Sequence, residues 1–363
     1  MELKEKQLFK NLCSFKSKDF DKNLLLNASP EVLGHLFFNR MQGVAFGTLK
    51  ENYVSEKVNR EFYNSLKSAY ERNLSKNESY FKCVGFLSEI LEKCSCNVAM
   101  LKGAYLCSHY PKGYRTSNDI DVLVCPQNIS KVGEKLLESG FNQGYVRNGN
   151  FVPASRTDII KSRMTRGETI PYIKEVNLPE IKYLEVDINF SLDYKNSDTG
   201  ILEKILDNCC VVSENGLNIM TLKKEDFFIH LCAHLYKEAT TLPWIEMKRD
   251  MSLYKYCDIY MLISEMSEAE IISVFERAKE FEMEKICAFA IIGTFALFNI
   301  ESSKSFALEL ATDAVSSDTD YMNIVTVPSE KKLMIYKTED ISERFFMKNR
   351  LNDLKEVDYY GKA

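Results

Sequence analysis

A chain of 363 residues with 45% apolar content is long enough for about two domains and a sizeable buried core. Its net charge of −5, from 47 basic against 52 acidic residues, excludes a protein whose main business is coating nucleic acid, though not a local basic groove. Eleven cysteines behind a charged start (residues 1–6) without an apolar signal segment point to a reducing compartment and free thiols. The longest apolar run, 286–298, is too short to span a bilayer, so a cytoplasmic protein without a membrane partner is expected.

Residues 1–96 read as helical. Ser29-Pro30-Glu31 supplies a capping hydroxyl and a proline for the first helical position, and Leu33, Leu36, Phe37 and Met41 then recur at helical spacing. Two further helices are expected at 55–74 and 80–93. From about 97 to 212 strand and helix alternate. A short apolar run from Val98 ends at Lys102-Gly103, a second apolar run opens at Asp119, and 127–139 reads as a helix closed by Gly140. The irregular stretch that follows carries Arg147, Arg156, Lys161, Arg163 and Arg166. It reads either as a solvated loop or hairpin, or as a mobile wall touching a triphosphate or an anionic acceptor. Residues 183–190 alternate as a strand. From 221 the chain turns helical again, with Thr221 as the cap of a helix reaching Lys237, then helices at 247–263, 267–281 and 283–298. Residues 323–327 and 332–336, joined through Pro328-Ser329-Glu330, read as a hairpin. Cys94-Ser95-Cys96 and Cys209-Cys210 have the wrong spacing for a zinc knuckle. His230 and His234 lack a third ligand and read as buried histidines rather than zinc ligands.

The chemistry concentrates between Val98 and Phe190. Side chains alternate faces along a strand, so Asp119 and Asp121 share one face and Ile120 and Val122 the other. Two carboxylates that close repel unless a cation lies between them, and for all-oxygen ligands the simplest is magnesium; the alternative is a solvated Asp-x-Asp at a strand end. In 183–190, Leu184, Val186, Ile188 and Phe190 form one face while Tyr183, Glu185, Asp187 and Asn189 form the other. Either Glu185 or Asp187 can supply a third carboxylate. Three carboxylates can hold two metal ions for phosphoryl-type transfer. Lys102 and Gly103 lie at a strand-to-helix turn, where backbone N–H groups, a glycine and an ammonium suit phosphate; the alternative is an ordinary turn. Ser117 and Arg115 precede the aspartates and can donate to phosphate oxygens, Arg115 alternatively anchoring its loop.

The ordered set Leu-Lys-Gly, Tyr110-Pro111, Arg-x-Ser-x-Asp-Ile-Asp-x-Leu-Val and Val-Asp-Ile-Asn-Phe resembles an uncharacterised bacterial nucleotidyltransferase family of the DNA polymerase β-like superfamily. The resemblance runs from about residue 30 to about 265. It has Leu-Lys-Gly where better-known relatives have Gly-Ser, and Asn189 where a histidine is common. It implies an α+β fold, with a polymerase β-like mixed-sheet core at 97–220 between an N-terminal helical region (1–96) and a C-terminal helical domain (221–363) bearing the late hairpin. It implies that Asp119, Asp121 and Asp187 are the catalytic and metal-binding acids, with two Mg²⁺ ions, or Mn²⁺ in their place. Lys102, Gly103, Arg115 and Ser117 would bind nucleotide, as would His234 and Lys237, because a histidine recurs near that helix in the family. The expected reaction moves a nucleoside monophosphate from a nucleoside triphosphate, ATP by default, to a hydroxyl of a small-molecule, peptide or protein acceptor, releasing pyrophosphate; nucleic acid is disfavoured as acceptor. The alternatives are a non-catalytic nucleotide-binding partner or antitoxin-like module, and a glycosyltransferase using Asp-x-Asp.

Overall fold

The computed structural model describes residues 1–54, 57–165, 167–192, 199–214, 216–318, 320–328, 330 and 332–357. The chain opens with α1 (Leu3–Cys13), α2 (Pro30–Phe38), α3 (Gln42–Glu51) and the long α4 (Arg60–Leu91). Next come β1 (Val98–Met100), α5 (Gly103–His109), β2 (Asp119–Val124) and α6 (Ile129–Glu138). A hairpin of β3 (Asn142–Arg147) and β4 (Asn150–Pro153) precedes α7 (Arg156–Thr165). Then follow β5 (Tyr172–Leu178), β6 (Ile181–Asn189), α8 (Thr199–Asp207), β7 (Cys210–Glu214) and β8 (Leu217–Thr221). The remaining helices are α9 (Lys224–Ala239), α10 (Leu242–Glu246), α11 (Leu253–Glu265), α12 (Glu268–Glu280), α13 (Glu284–Leu297) and α14 (Ser305–Val315). Strands β9 (Ile324–Val327) and β10 (Lys332–Tyr336), helix α15 (Ile341–Phe346) and strand β11 (Leu354–Val357) complete the order.

Local chemistry explains several boundaries. Ser29 caps α2 by accepting from the Val32 N–H at 3.3 Å, with Pro30 in the first turn. Gly140, at φ +86°, closes α6 in the left-handed conformation that side chains resist. Thr221, expected to cap a helix, instead ends β8, and its hydroxyl donates to the Met100 carbonyl at 2.7 Å. The helix expected at 247–263 begins only at Leu253, as α11; the short α10 precedes that span and ends at Glu246. The basic stretch is the tip of the β3–β4 hairpin followed by α7, with Arg147 stacked over Tyr145; Arg166 lies outside the described residues. The helices expected at 55–74 and 80–93 are one continuous helix over their described part, because two of the polar residues between them face inward: Asn77 and Ser79 are 4% and 2% exposed.

Two compact units divide the chain: residues 68–227 form one, and residues 1–67 with 228–363 the other. The 68–227 unit is built on a mixed six-stranded sheet of order β1-β2-β6-β5-β3-β4. Only β2 and β6 run parallel; the other neighbours are antiparallel. One face of the sheet is apolar. Ile120, Val122 and Val124 of β2 and Leu184, Val186 and Ile188 of β6 bury against Val84, Leu87 and Leu91 of α4 and Val132 and Leu136 of α6. Each such side chain contributes on the order of 1.5–3 kcal/mol of transfer free energy, so the sheet cannot turn over without losing its core, and the opposite side chains are committed to the other face. A separate hairpin, β7–β8, lies beside β1.

The other unit is mainly helical. Helix α13 is buried nearly all round, from Ile286 to Leu297. The expected hairpin forms between β9 and β10 and gains a third strand, β11. Val325, Tyr336, Leu354 and Ile245 pack as its core. Among the described residues no helix is long and apolar enough to cross a membrane.

Candidate functional site

The face of the sheet opposite the core carries the acids. Parallel pairing of β2 with β6 sets Asp121 opposite Asp187 and Asp119 opposite Glu185, on backbones about 4.8 Å apart. Asp121 is 9% exposed, and Asp119, Glu185 and Asp187 are half-buried. The Asp121 carbonyl accepts from Leu101 N–H at 2.9 Å, which ties the head of β2 to the end of β1. Lys102 follows in the uncommon φ +46° conformation, a strain of order 1–3 kcal/mol for a non-glycine residue. Its ammonium lies 3.1 Å from Asp121 Oδ1. The Asn189 side-chain amide donates to the same oxygen at 3.2 Å and to the Asp187 carbonyl at 3.4 Å. Ser117 donates to Asp119 Oδ1 at 3.2 Å.

Gly103 is required by the loop that crosses it. A Cβ there would stand 2.5 Å from both Ser117 Cβ and Oγ and 2.8 Å from the Tyr80 hydroxyl. The Arg115 guanidinium reaches Cys107 Sγ of α5 at 3.6 Å.

The loop before β2 is clamped by side chains of α4 that sequence reasoning missed. Asn73 donates to the Gly113 carbonyl at 2.9 Å, Asn77 donates to the Arg115 carbonyl at 2.8 Å, and Asn77 Oδ1 accepts from Gly113 N–H at 3.0 Å. Lys76 donates to Asn118, and Tyr80 to the Asp119 carbonyl at 2.9 Å. Their spacing of three and four along an otherwise amphipathic helix is the one signal that could have shown them.

Electrostatically the acid face is over-charged. Burial pushes the Asp187 carboxyl well above the usual carboxylate range, and Asp121, Asp119, Glu185 and Glu168 push it further. Glu185 is raised too, by burial first and then by Asp119. Among the described residues no three His, Cys, Asp or Glu side chains form a ready cluster of metal ligands. The donor set nevertheless fits a hard divalent cation: it is all oxygen, on one strand face, and mutually repelling. Lys102 already supplies one positive charge to it.

His234 and Lys237 belong to the other unit. His234 Nε2 lies 3.3 Å from Glu238 Oε1 and 3.2 Å from Lys255 Nζ, which also pairs with Glu238.

No curated protein sequence matches the chain. Among solved structures, an antigenic nucleotidyltransferase-like protein from Paracoccidioides brasiliensis is similar over 57% of this chain and 90% of its own, at 14% identity and a TM-score of 0.34; so distant a likeness carries no weight for the site. A family described as uncharacterised nucleotidyltransferase matches residues 30–299, a span that takes in every carboxylate and turn residue described above, and on that match the chain belongs to this nucleotidyltransferase family.

Proposed function

We propose that the protein is a metal-dependent nucleotidyltransferase whose mixed sheet is a polymerase β-like core, moving a nucleoside monophosphate from a nucleoside triphosphate to an acceptor hydroxyl and releasing pyrophosphate. The observation that carries this reading is the register of β2 against β6, with Asp121 opposite Asp187 and Asp119 two residues earlier on the same face. Asp119, Asp121 and Asp187 would hold two magnesium ions, with manganese as a substitute. Bound there, the metal supplies charge neutralisation and an acidified acceptor hydroxyl. Asp187, or solvent, would take the acceptor proton. Lys102 stands over Asp121, and its ammonium is suited to swing to phosphate oxygens once a cation replaces it. Ser117 and Asn189 hold the carboxylate oxygens in place, a preorganisation that spares reorganisation during the reaction. ATP is the default donor, and the acceptor is a small molecule, peptide or protein.

The test is pyrophosphate release by the full chain with magnesium across the four ribonucleoside triphosphates, comparing wild type with Asp119→Asn combined with Asp121→Asn. Activity in wild type and its loss in a folded double variant is expected. Undiminished release by the double variant would remove the metal reading. Stabilisation by sugar nucleotides alone would point to glycosyl transfer, and nucleotide binding without turnover to a non-catalytic module.

A further inference from the structure

On the side of the sheet away from the carboxylates, the 68–227 unit holds a cavity of about 310 Å³ between the end of α4, β1 and the β7–β8 hairpin. β1 is an edge strand of the six-stranded sheet. Its Val98 and Met100 pair with Val124 and Val122 and so lie on the core face, opposite Asp119 and Asp121. The Ser88 hydroxyl donates to the Asn218 carbonyl at 2.9 Å, and the Thr221 hydroxyl to the Met100 carbonyl at 2.7 Å. Ser88, Asn218 and Met100 all line the cavity, so these two bonds hold its walls. Val211 and Met220 face each other across the hairpin, on the side turned away from Ile219, which packs in the core. Both line the cavity, and they are 55% and 37% exposed. Folding of the unit thus leaves adjoining apolar surface on the outer wall for an occupant to cover.

The wall chemistry selects that occupant. Five sulfur side chains line the cavity: Cys94, Cys96, Cys209, Met100 and Met220. Burial raises the proton affinity of Cys94 and Cys96 and pushes Cys209 up to about 12, so these thiols are neutral at neutral pH. Among the described residues no three His, Cys, Asp or Glu side chains are placed to hold a metal. Neutral thiol and thioether sulfur instead packs well against the edges of aromatic rings. No lysine or arginine lines the cavity, and its one charged lining residue is Glu92, so phosphates and carboxylates are disfavoured. The side-chain amides have partners already: Asn97 donates to Asp207 at 2.8 Å, and Asn218 Oδ1 accepts from Ser213 at 2.8 Å. The volume lies at the lower end of small-molecule pockets, room for one or two rings.

We propose that this cavity binds an uncharged aromatic molecule of one or two rings, at a site separate from the carboxylates. The ring would pack between Met100 and Val98 on one wall and Met220 and Val211 on the other. It would brace the β7–β8 hairpin against β1, two residues ahead of Lys102, and so stabilise this unit.

The experiment uses indole as the probe on the full chain, with indole-3-carboxylate as a charged control of the same ring. It follows the melting temperature and the alkylation of Cys96 and Cys209 by iodoacetamide, read by mass spectrometry, and maps 5-bromoindole by anomalous diffraction. At about ten times its Kd, indole should raise the melting temperature by about 2 °C and slow alkylation of both thiols about tenfold. The carboxylate should do neither. Val211→Trp, a change at an exposed strand position, sets a ring of the protein's own at the cavity and should remove the indole response. If Val211→Trp does not fold, thiol protection and the bromine map on the wild type decide. A bromine peak in the cavity together with protection of both thiols supports the site. No peak there, no protection, an equal response to the carboxylate, or an undiminished response in Val211→Trp would overturn it.

Discussion

Buried beside Asp121, Asp119, Glu185 and Glu168, the Asp187 carboxyl holds its proton more tightly in the folded chain than in the unfolded one. The sign of the linkage follows: where the native state binds more protons, stability falls as pH rises. The loss begins near the unfolded carboxylate value, about 3.9, and continues until pH passes the raised folded value. Above that window the metal-free protein carries the full penalty of an ionised Asp187. Asp187→Asn should therefore raise the melting temperature of the metal-free protein at neutral pH while abolishing turnover, and the gain should shrink as pH is lowered towards 4. A variant less stable than wild type at every pH would show that Asp187 is held by favourable contacts and not opposed by its neighbours. The same reasoning separates the two acids of β6. Glu185 faces Asp119 alone in the register, whereas Asp187 pairs with Asp121. Asp187→Ala should remove activity, and Glu185→Ala should leave most of it. Magnesium bound through Glu185 in a crystal structure, with Asp187 unliganded, would reverse that assignment.

At the scale of elements, the site depends on α4 as much as on the strands. Asn77 is 4% exposed and satisfies both the Gly113 N–H and the Arg115 carbonyl. Truncating it removes both of these hydrogen bonds, at about 1–3 kcal/mol each. Asn77→Ala should thus lower stability by about 2–4 kcal/mol in a denaturant titration and reduce kcat through a looser Asp119. A change below about 0.5 kcal/mol would fall in the range of an ordinary surface substitution and would mean that the loop is held by other contacts. This dependence was not legible in the sequence, and the reason is physical. Alternation within 119–124 and 183–190 is a local property, visible without knowing any partner, so the two acid-bearing strands and the apolar face opposite the acids could be read directly. The partners of Asn77 are backbone groups 36 and 38 residues away, and backbone groups leave no mark in a sequence. The polar residues of α4 that hold the loop instead suggested a break between two helices. The pairing of β2 with β6, across 66 residues, was legible only through the family resemblance.

For the molecule as a whole, charge sets the terms on which a nucleotide can bind. The chain carries −5 overall, and the candidate site adds clustered carboxylates to that field, so a free triphosphate approaches against repulsion. Lys102 is bonded to Asp121 and becomes available to phosphate only when another cation takes its place. Triphosphate binding should therefore be strictly metal-dependent. Without magnesium, nucleoside triphosphates should leave the melting temperature unchanged. With magnesium, ligand at about 100 times its Kd should add roughly 2.7 kcal/mol, a shift of a few degrees for a chain of this size. Nucleoside monophosphates offer Lys102 no outer phosphate and should stabilise much less. Lys102→Ala should accordingly weaken the triphosphate response more than the monophosphate response. It should also raise the need for magnesium, since Asp121 loses a bonded ammonium. A thermal-shift panel of the four ribonucleoside triphosphates, their monophosphates and sugar nucleotides, with and without magnesium, measures these together in wild type and Lys102→Ala. Equal stabilisation by mono- and triphosphates, unchanged in Lys102→Ala, would remove Lys102 from phosphate recognition, and a full triphosphate response in the absence of metal would show that the carboxylate face does not meet the phosphates at all.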